Sequence, residues 1–175
     1  ATCYRSAKKS DYDVSVHNIA DLMDKTIDLA TNDYDLKKHF DFKKILIQRH
    51  YHEPTPEFLC EAGQIQQVFL NILKNGAHAM LETADVRKPQ FDLHIKSDQH
   101  SVYIEIADNG PGMDDDLKRR IFEPFFTTKK GNLGTGLGLS VSYFIVTENL
   151  GGMISVDSTP GKGSQFTIRF PIKTP

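Results

Sequence analysis

The chain has 175 residues, 39% of them hydrophobic, with 21 basic and 23 acidic side chains and a formal net charge of −2. That length suits one domain burying about two-thirds of its unfolded surface. The near-balanced charge offers no basic stripe for nucleic acid or anionic lipid, and no apolar run approaches the ~20 residues needed to cross a bilayer.

Residues 1–13 are polar and mixed, and read as a linker or the end of an upstream element, with the domain proper over 14–175. Cys3 and Cys60 make neither a metal-type pair nor a disulfide framework, so both are expected as free thiols in a reducing, cytoplasmic setting. The chain begins with Ala1 and shows no charged leader with an apolar core, which reads as an excised fragment. Val16, Ile19, Leu22, Met23, Ile27 and Leu29 recur at three- and four-residue steps, predicting a helix that ends before Asn32. Phe42 to Ile47 is a strand candidate, Pro54 and Pro56 punctuate the next stretch, and Phe58 to Cys60 reads as a second short strand. A largely buried helix is expected from Ile65 to about Thr83.

Phe91 to Lys96 and Val102 to Ala107 alternate apolar and polar, the period of hairpin strands with one face on a core. After Leu139 an apolar helix is expected to about Leu150, broken by Gly151 and Gly152. Met153 to Val156 and Gln165 to Phe170 form a last hairpin, turned through Thr159 to Gly163. Helices interleaved with antiparallel strands predict a two-layer α/β sandwich: a mixed, mostly antiparallel sheet with helices on one face.

Chemistry concentrates in four places. Asn71 and Asn75 lie one turn apart on a single helix face, flanked by Lys74 and His78. Asp108 ends a strand just before Asn109-Gly110-Pro111-Gly112-Met113. Phe122, Phe125 and Phe126 lead into a polar cationic stretch, Thr127 to Leu133. Gly134-Thr135-Gly136-Leu137-Gly138-Leu139-Ser140 then opens a helix, where backbone N–H groups and the helix dipole favour anions. Taken singly, each has a plain account: a satisfied polar helix face, an Asp-Asn-Gly turn, core aromatics, a solvated charge run. Together they compose a nucleotide site.

In order and spacing, these motifs resemble the ATP-binding catalytic domain of two-component sensor histidine kinases, within the GHKL ATPase superfamily, from about Val14 to Pro171. The resemblance implies the Bergerat-type sandwich and Mg-ATP as ligand. It makes Asn75 the Mg²⁺ ligand, with Lys74 and His78 as phosphate contacts, although kinases often carry Lys or Arg where His78 stands. Asp108 would accept a hydrogen bond from the adenine amino group, Gly110 and Gly112 would leave room for the base, and Met113 would line its pocket. Phe125 would hinge a lid carrying Thr127, Thr128, Lys129 and Lys130, and Gly134, Thr135, Gly136, Leu137, Gly138 and Leu139 would face the triphosphate. Ser164, in the closing turn, would reach the adenine through water.

Hydrolytic relatives in that superfamily carry a water-activating glutamate where this chain has Asn71, and an amide cannot act as a general base. The resemblance therefore implies phosphoryl transfer to a histidine on a separate dimerisation and phosphoacceptor domain, with a response regulator downstream. A stand-alone ATPase, a serine kinase of the superfamily and a purely regulatory nucleotide module are the rivals. Of the seven histidines, only His52 precedes an acidic residue, and Pro54 and Pro56 forbid a regular helix there. The acceptor is expected elsewhere than on this chain.

Overall fold

The computed structural model describes residues 14–33, 41–128 and 135–172. Strand β1 (Val14–Asn18) leads directly into α1 (Ile19–Asn32). Asn18 makes the junction, its side-chain oxygen accepting from the amides of Ala20 at 2.9 Å and Asp21 at 3.2 Å, which satisfies two of the helix's unpaired donors. A 3₁₀ turn (Phe42–Lys44), β2 (Leu46–Tyr51) and β3 (Glu57–Glu61) precede the long helix α2 (Ala62–Leu81). Then come β4 (Gln90–Ser97), β5 (Ser101–Asp108), the short α3 (Asp115–Arg120) and α4 (Gly138–Phe144), which widens into a π-helical turn (Ile145–Asn149). Strands β6 (Met153–Thr159) and β7 (Gly163–Pro171) close the described chain.

The main sheet runs β2-β4-β5-β7-β6. Only β2 and β4 are parallel; the other neighbours are antiparallel. Period-two alternation gives the sheet one apolar face, with Phe91, Leu93, Ile95, Val102, Ile104, Ile106, Ile168 and Phe170 all buried. Against it lie the apolar stripes of α1, through Ile19, Met23 and Ile27, and of α2, through Ile65, Phe69, Ile72, Leu73 and Met80. Each such side chain contributes roughly 1.5–3 kcal/mol when withdrawn from water. The opposite face is polar: Lys96 pairs with Glu105 at 2.6 Å, and the rings of His50 and His94 stack with centroids 4.5 Å apart. This is the expected two-layer sandwich. No helix among the described residues is long and apolar enough to cross a membrane.

Several expectations need correction. The first helix begins at Ile19, not Val16, because Val14 to Asn18 pair antiparallel with β3, Val16 opposite Leu59. The step from Val16 to Ile19 satisfies a helical period by coincidence, and Leu29, read as part of the buried stripe, is exposed. Strand β3 is present, but it joins β1 in a separate two-stranded sheet. Phe42 lies in the 3₁₀ turn, where Asp41 accepts from the amide of Lys43 at 3.2 Å, so β2 starts later than expected. Helix α3 was not expected; Asp114 caps it, and acids in its first turn with bases in its last complement the helix dipole. The helix after Leu139 ends as a π turn in which the amide of Leu150 reaches the Ile145 carbonyl at 3.0 Å.

Candidate nucleotide-binding site

Asp108 is the last residue of β5, flanked by Phe91 on β4 and Ser164 on β7. Burial pushes its carboxyl up to about 6, against the opposing pull of the Gly110 and Ser164 backbone amides. The Gly110 N–H donates to its Oδ1 at 2.9 Å. Behind it, Gly76 lets α2 sit directly on the sheet. A Cβ there would lie 2.6 Å from the Phe91 ring and 3.3 Å from the Asp108 Cβ. Glycine inside a helix costs roughly 1 kcal/mol relative to alanine, and here that cost yields the close approach that sets the depth of Asp108.

The loop after Asp108 and the β6–β7 turn are knitted together. Gly112, at φ +73°, and Gly163, at φ +95°, both occupy the left-handed region. A side chain at Gly112 would meet the Thr159 carbonyl oxygen at 2.1 Å, and one at Gly163 would meet the Asp108 carbonyl oxygen at 2.0 Å. Arg87 bridges the two loops, donating to the carbonyls of Asn109 at 3.0 Å and Gly161 at 2.9 Å. The Asn109 side chain accepts from the Gln90 amide and donates to the Lys88 carbonyl, so it is spent on the turn. Met113 packs against the core, and its amide donates to Ser158 Oγ at 2.8 Å, which in turn lies 2.9 Å from Ser164 Oγ.

The second group of expected residues lies along α2 and the start of α4. Asn71 donates through Nδ2 to the Gly138 carbonyl at 2.9 Å and to Ser142 Oγ at 3.1 Å, and Ser142 donates to the same carbonyl at 2.9 Å. The amide thus clamps the first turn of α4 onto α2. A Cβ at Gly138 would meet Asn71 only at an ordinary 3.6 Å, so packing does not demand glycine there.

Asn75 lies half-buried one turn beyond Asn71. Lys74 forms an ion pair with Asp33 at the end of α1, so its ammonium is directed toward that carboxylate. His78 donates through Nδ1 to the Lys74 carbonyl at 2.8 Å. In the neutral ring the other nitrogen is then an acceptor, so a phosphate contact from His78 would require the imidazolium.

Phe125 is three-quarters exposed and sits at φ +65°, a left-handed conformation costly for a bulky residue. Its amide donates to the Gly136 carbonyl at 2.9 Å, and Gly136, at φ +67°, presses so close that a Cβ would lie 2.4 Å from the Phe125 carbonyl carbon. Phe125 and Gly136 thus meet in a pinched neck. Thr127 and Thr128 are exposed just outside it. Leu137 caps α4, its amide receiving support from Thr135 Oγ1 at 3.4 Å, and Leu139 packs on the core. Lys129, Lys130 and Gly134 lie outside the described residues, as does most of the expected lid.

Among the described residues no three His, Cys, Asp or Glu side chains gather to hold a metal ion. A cation beside Asn75 would therefore draw one amide oxygen from the protein and its other ligands from phosphate and water. That donor set fits Mg²⁺, which keeps several waters, and does not fit an ion needing an all-protein cage. Gly76, Arg87 and Ser158 support the candidate site from behind and lie outside the sequence motifs. The glycine inside a helical pattern was the one signal that could have flagged any of them.

Residues 60–174 match the family model described as histidine kinase-, DNA gyrase B-, and HSP90-like ATPase. Sporulation kinase A of Bacillus subtilis is 40% identical over 129 residues, 74% of this chain and 20% of the relative. Sporulation kinase E of the same organism is 38% identical over 157 residues, 89% of this chain and 19% of the relative. The sensory histidine kinase/phosphatase NtrB of Vibrio alginolyticus is 36% identical over 137 residues, 74% and 38% respectively. The chain thus spans about a fifth of the two sporulation kinases. Among solved structures, a nucleotide-free catalytic domain of histidine kinase ThkA superposes with TM-score 0.74 at 25% identity, covering 93% of this chain and 99% of that one. Full-length ShkA in complex with AMPPNP gives TM-score 0.75 at 25% identity, covering 94% of this chain and 32% of that one. With the family model covering well over half its length, the chain belongs to the histidine kinase-, DNA gyrase B- and HSP90-like ATPase family.

Proposed function

We propose that this chain binds Mg-ATP and presents its γ-phosphate to a histidine on a dimerisation and phosphoacceptor domain outside the chain, as the catalytic part of a two-component sensor kinase. The adenine amino group faces Asp108, with Gly110, Gly112 and Met113 around the base and Ser164 alongside. The phosphates lie toward Asn75, with the Gly134 to Leu139 backbone and the Thr127 to Lys130 stretch about them. When bound, Mg²⁺ neutralises phosphate charge for in-line attack, and Asn75 supplies its protein oxygen. A response regulator is the onward partner.

The observation that carries transfer over hydrolysis is the placement of Asn71. Its amide is engaged by the Gly138 carbonyl and Ser142, so the position holds a structural clamp where a water-activating base would need a carboxylate. Catalysis by this chain is then positioning and charge neutralisation. The described histidines support an external acceptor. His17, His50 and His94 lie in strands, His52 and His100 in connections, and His78 is bonded within α2.

Incubating the chain with Mg-ATP and the separately supplied phosphoacceptor helices of its parent should place acid-labile, base-stable phosphate on those helices, with little label on the chain itself. Acid-stable phosphate would instead mark a serine kinase. Rapid phosphate release without any acceptor would mark a stand-alone ATPase.

A further inference from the structure

Ser158, Ser164 and Asp108 stand in one row across β6, β7 and β5, each opposite the next. The Ser158 hydroxyl has three polar neighbours: the Met113 amide at 2.8 Å, the Gly163 carbonyl at 2.8 Å and Ser164 Oγ at 2.9 Å. A hydroxyl owns one hydrogen and two lone pairs. The Met113 amide can only donate, so it occupies a lone pair. The Gly163 carbonyl can only accept, so it takes the hydrogen. One lone pair is left for Ser164, whose own hydrogen must therefore point at Ser158.

The consequence falls on Ser164, the residue expected to reach the base through water. With its hydrogen committed, it offers that side of the pocket only lone pairs, and the ionised Asp108 carboxylate beside it likewise only accepts. The two side chains of the base pocket's polar wall then both present acceptors, the Gly110 and Ser164 amides being spent on Asp108. That wall suits a purine bearing an amino group at its six position and repels one bearing a carbonyl there, because acceptors facing each other repel and leave the base oxygen without a donor.

We infer that Ser158, although set behind the pocket, is a specificity-determining positioning residue: by fixing the direction of the Ser164 hydroxyl it enforces selection of 6-amino over 6-oxo purine nucleotides. This rests on the nucleotide reading of the site given above. It adds a residue that would touch no part of the ligand.

The test compares ATP with inosine triphosphate, which differs by the amino-to-carbonyl exchange, using calorimetric affinities for the wild type and Ser158→Ala. Freed from Ser158, the Ser164 hydroxyl can turn and donate toward the 6-oxo group, directly or through the bridging water, so the ratio of the two affinities should fall roughly three- to tenfold, the worth of one neutral hydrogen bond. Ser158→Thr keeps the hydroxyl and should retain the wild-type ratio, whereas Ser158→Val, of similar shape but lacking it, should behave like Ser158→Ala. The Thr and Val pair decides the question if the alanine variant folds poorly. An equal loss for both nucleotides, leaving the ratio unchanged, would reduce Ser158 to a structural brace and overturn the inference while the nucleotide reading stood. Failure of the wild type to bind ATP at millimolar concentration would instead remove the nucleotide reading and, with it, this one.

Discussion

The two ends of the candidate site are built by different means. At the Asp108 end, two loops interlock through Gly112 and Gly163, Arg87 spans them, and Ser158 ties them again through the Met113 amide, leaving little freedom in the backbone. At the Asn71 end, one amide holds the start of α4, and the Phe125–Gly136 pinch closes a neck with two left-handed residues. A base-recognition surface works best when fixed before its ligand arrives, since preorganised groups pay less ordering entropy on binding. A phosphate-covering segment has to open and close. On the proposed function the contrast would separate a rigid base-reading end from a more lightly held phosphate end, and it can be broken at either end.

The largest effect is expected at Gly163. A valine there would combine φ +95° with a Cβ only 2.0 Å from the Asp108 carbonyl oxygen, and neither backbone segment can retreat without unpairing β5 from β7. Gly163→Val should cost more than about 3 kcal/mol of stability, read by denaturant unfolding. Retention of near-wild-type stability would show the base end to be far softer than its contacts imply.

Asp108 comes next, and its sign runs against intuition. Its folded value, about 6, lies above the ordinary 3.8, so the folded state holds this proton more tightly than the unfolded chain does. The ionised carboxylate therefore opposes folding above pH 6, by on the order of 3 kcal/mol. That penalty is progressively relieved as pH falls from about 6 toward 4. Asp108→Asn should accordingly stabilise the nucleotide-free chain at pH 7.5 while weakening its binding of ATP, and wild-type ATP affinity should decline as pH drops through 6. Parallel unfolding and binding titrations of the two proteins check both halves. A wild type whose ATP affinity is flat from pH 7.5 to 5 would show that the carboxylate does not receive the base.

At the other end, Asn71→Ala removes the hydrogen bonds to Gly138 and Ser142, and should cost about 1–2 kcal/mol because the Gly138 carbonyl keeps Ser142 as a donor. Hydrogen exchange should localise the loosening to the first turn of α4, leaving β5 and β7 protected. Equal deprotection at the Asp108 loop would mean that the two ends are one cooperative unit.

Legibility in the sequence divides along the same line. Asp108 and its glycines can be read because a strand, a sharp turn and a short side chain form a local pattern. Val68, Ile72 and the β4–β5 alternation announce the core for the same reason, each being a matter of spacing along the chain. Ser158 and Arg87 cannot be read so. Their roles depend on partners 45 and 74 residues away in sequence, and neither type is unusual where it stands. Strand β1 passes for helix because five residues of alternation can also fit a helical step. Phe125 gives no hint of its left-handed backbone, since nothing in an aromatic run marks which residue packs against a distant glycine in that region.

The smallest effect, and the finest probe of the clamp, concerns Lys74. Its ion pair with Asp33 is partly exposed on both sides, at 32% and 21%. Pairs of that kind contribute less than about 1 kcal/mol, after screening and the entropy of holding two side chains. Lys74→Met should therefore lower stability by less than that amount. Because the ammonium is already directed at a carboxylate, ATP affinity should change by no more than about twofold, against the much larger loss expected for a direct phosphate contact. Asp33→Asn provides the converse experiment. If Lys74 serves only to fasten α1 to α2, ATP affinity stays put. If instead the ammonium is withheld from phosphate by Asp33, releasing it strengthens ATP binding, Lys74→Met abolishes the gain, and the phosphate end acquires a cation that the nucleotide-free chain keeps turned away.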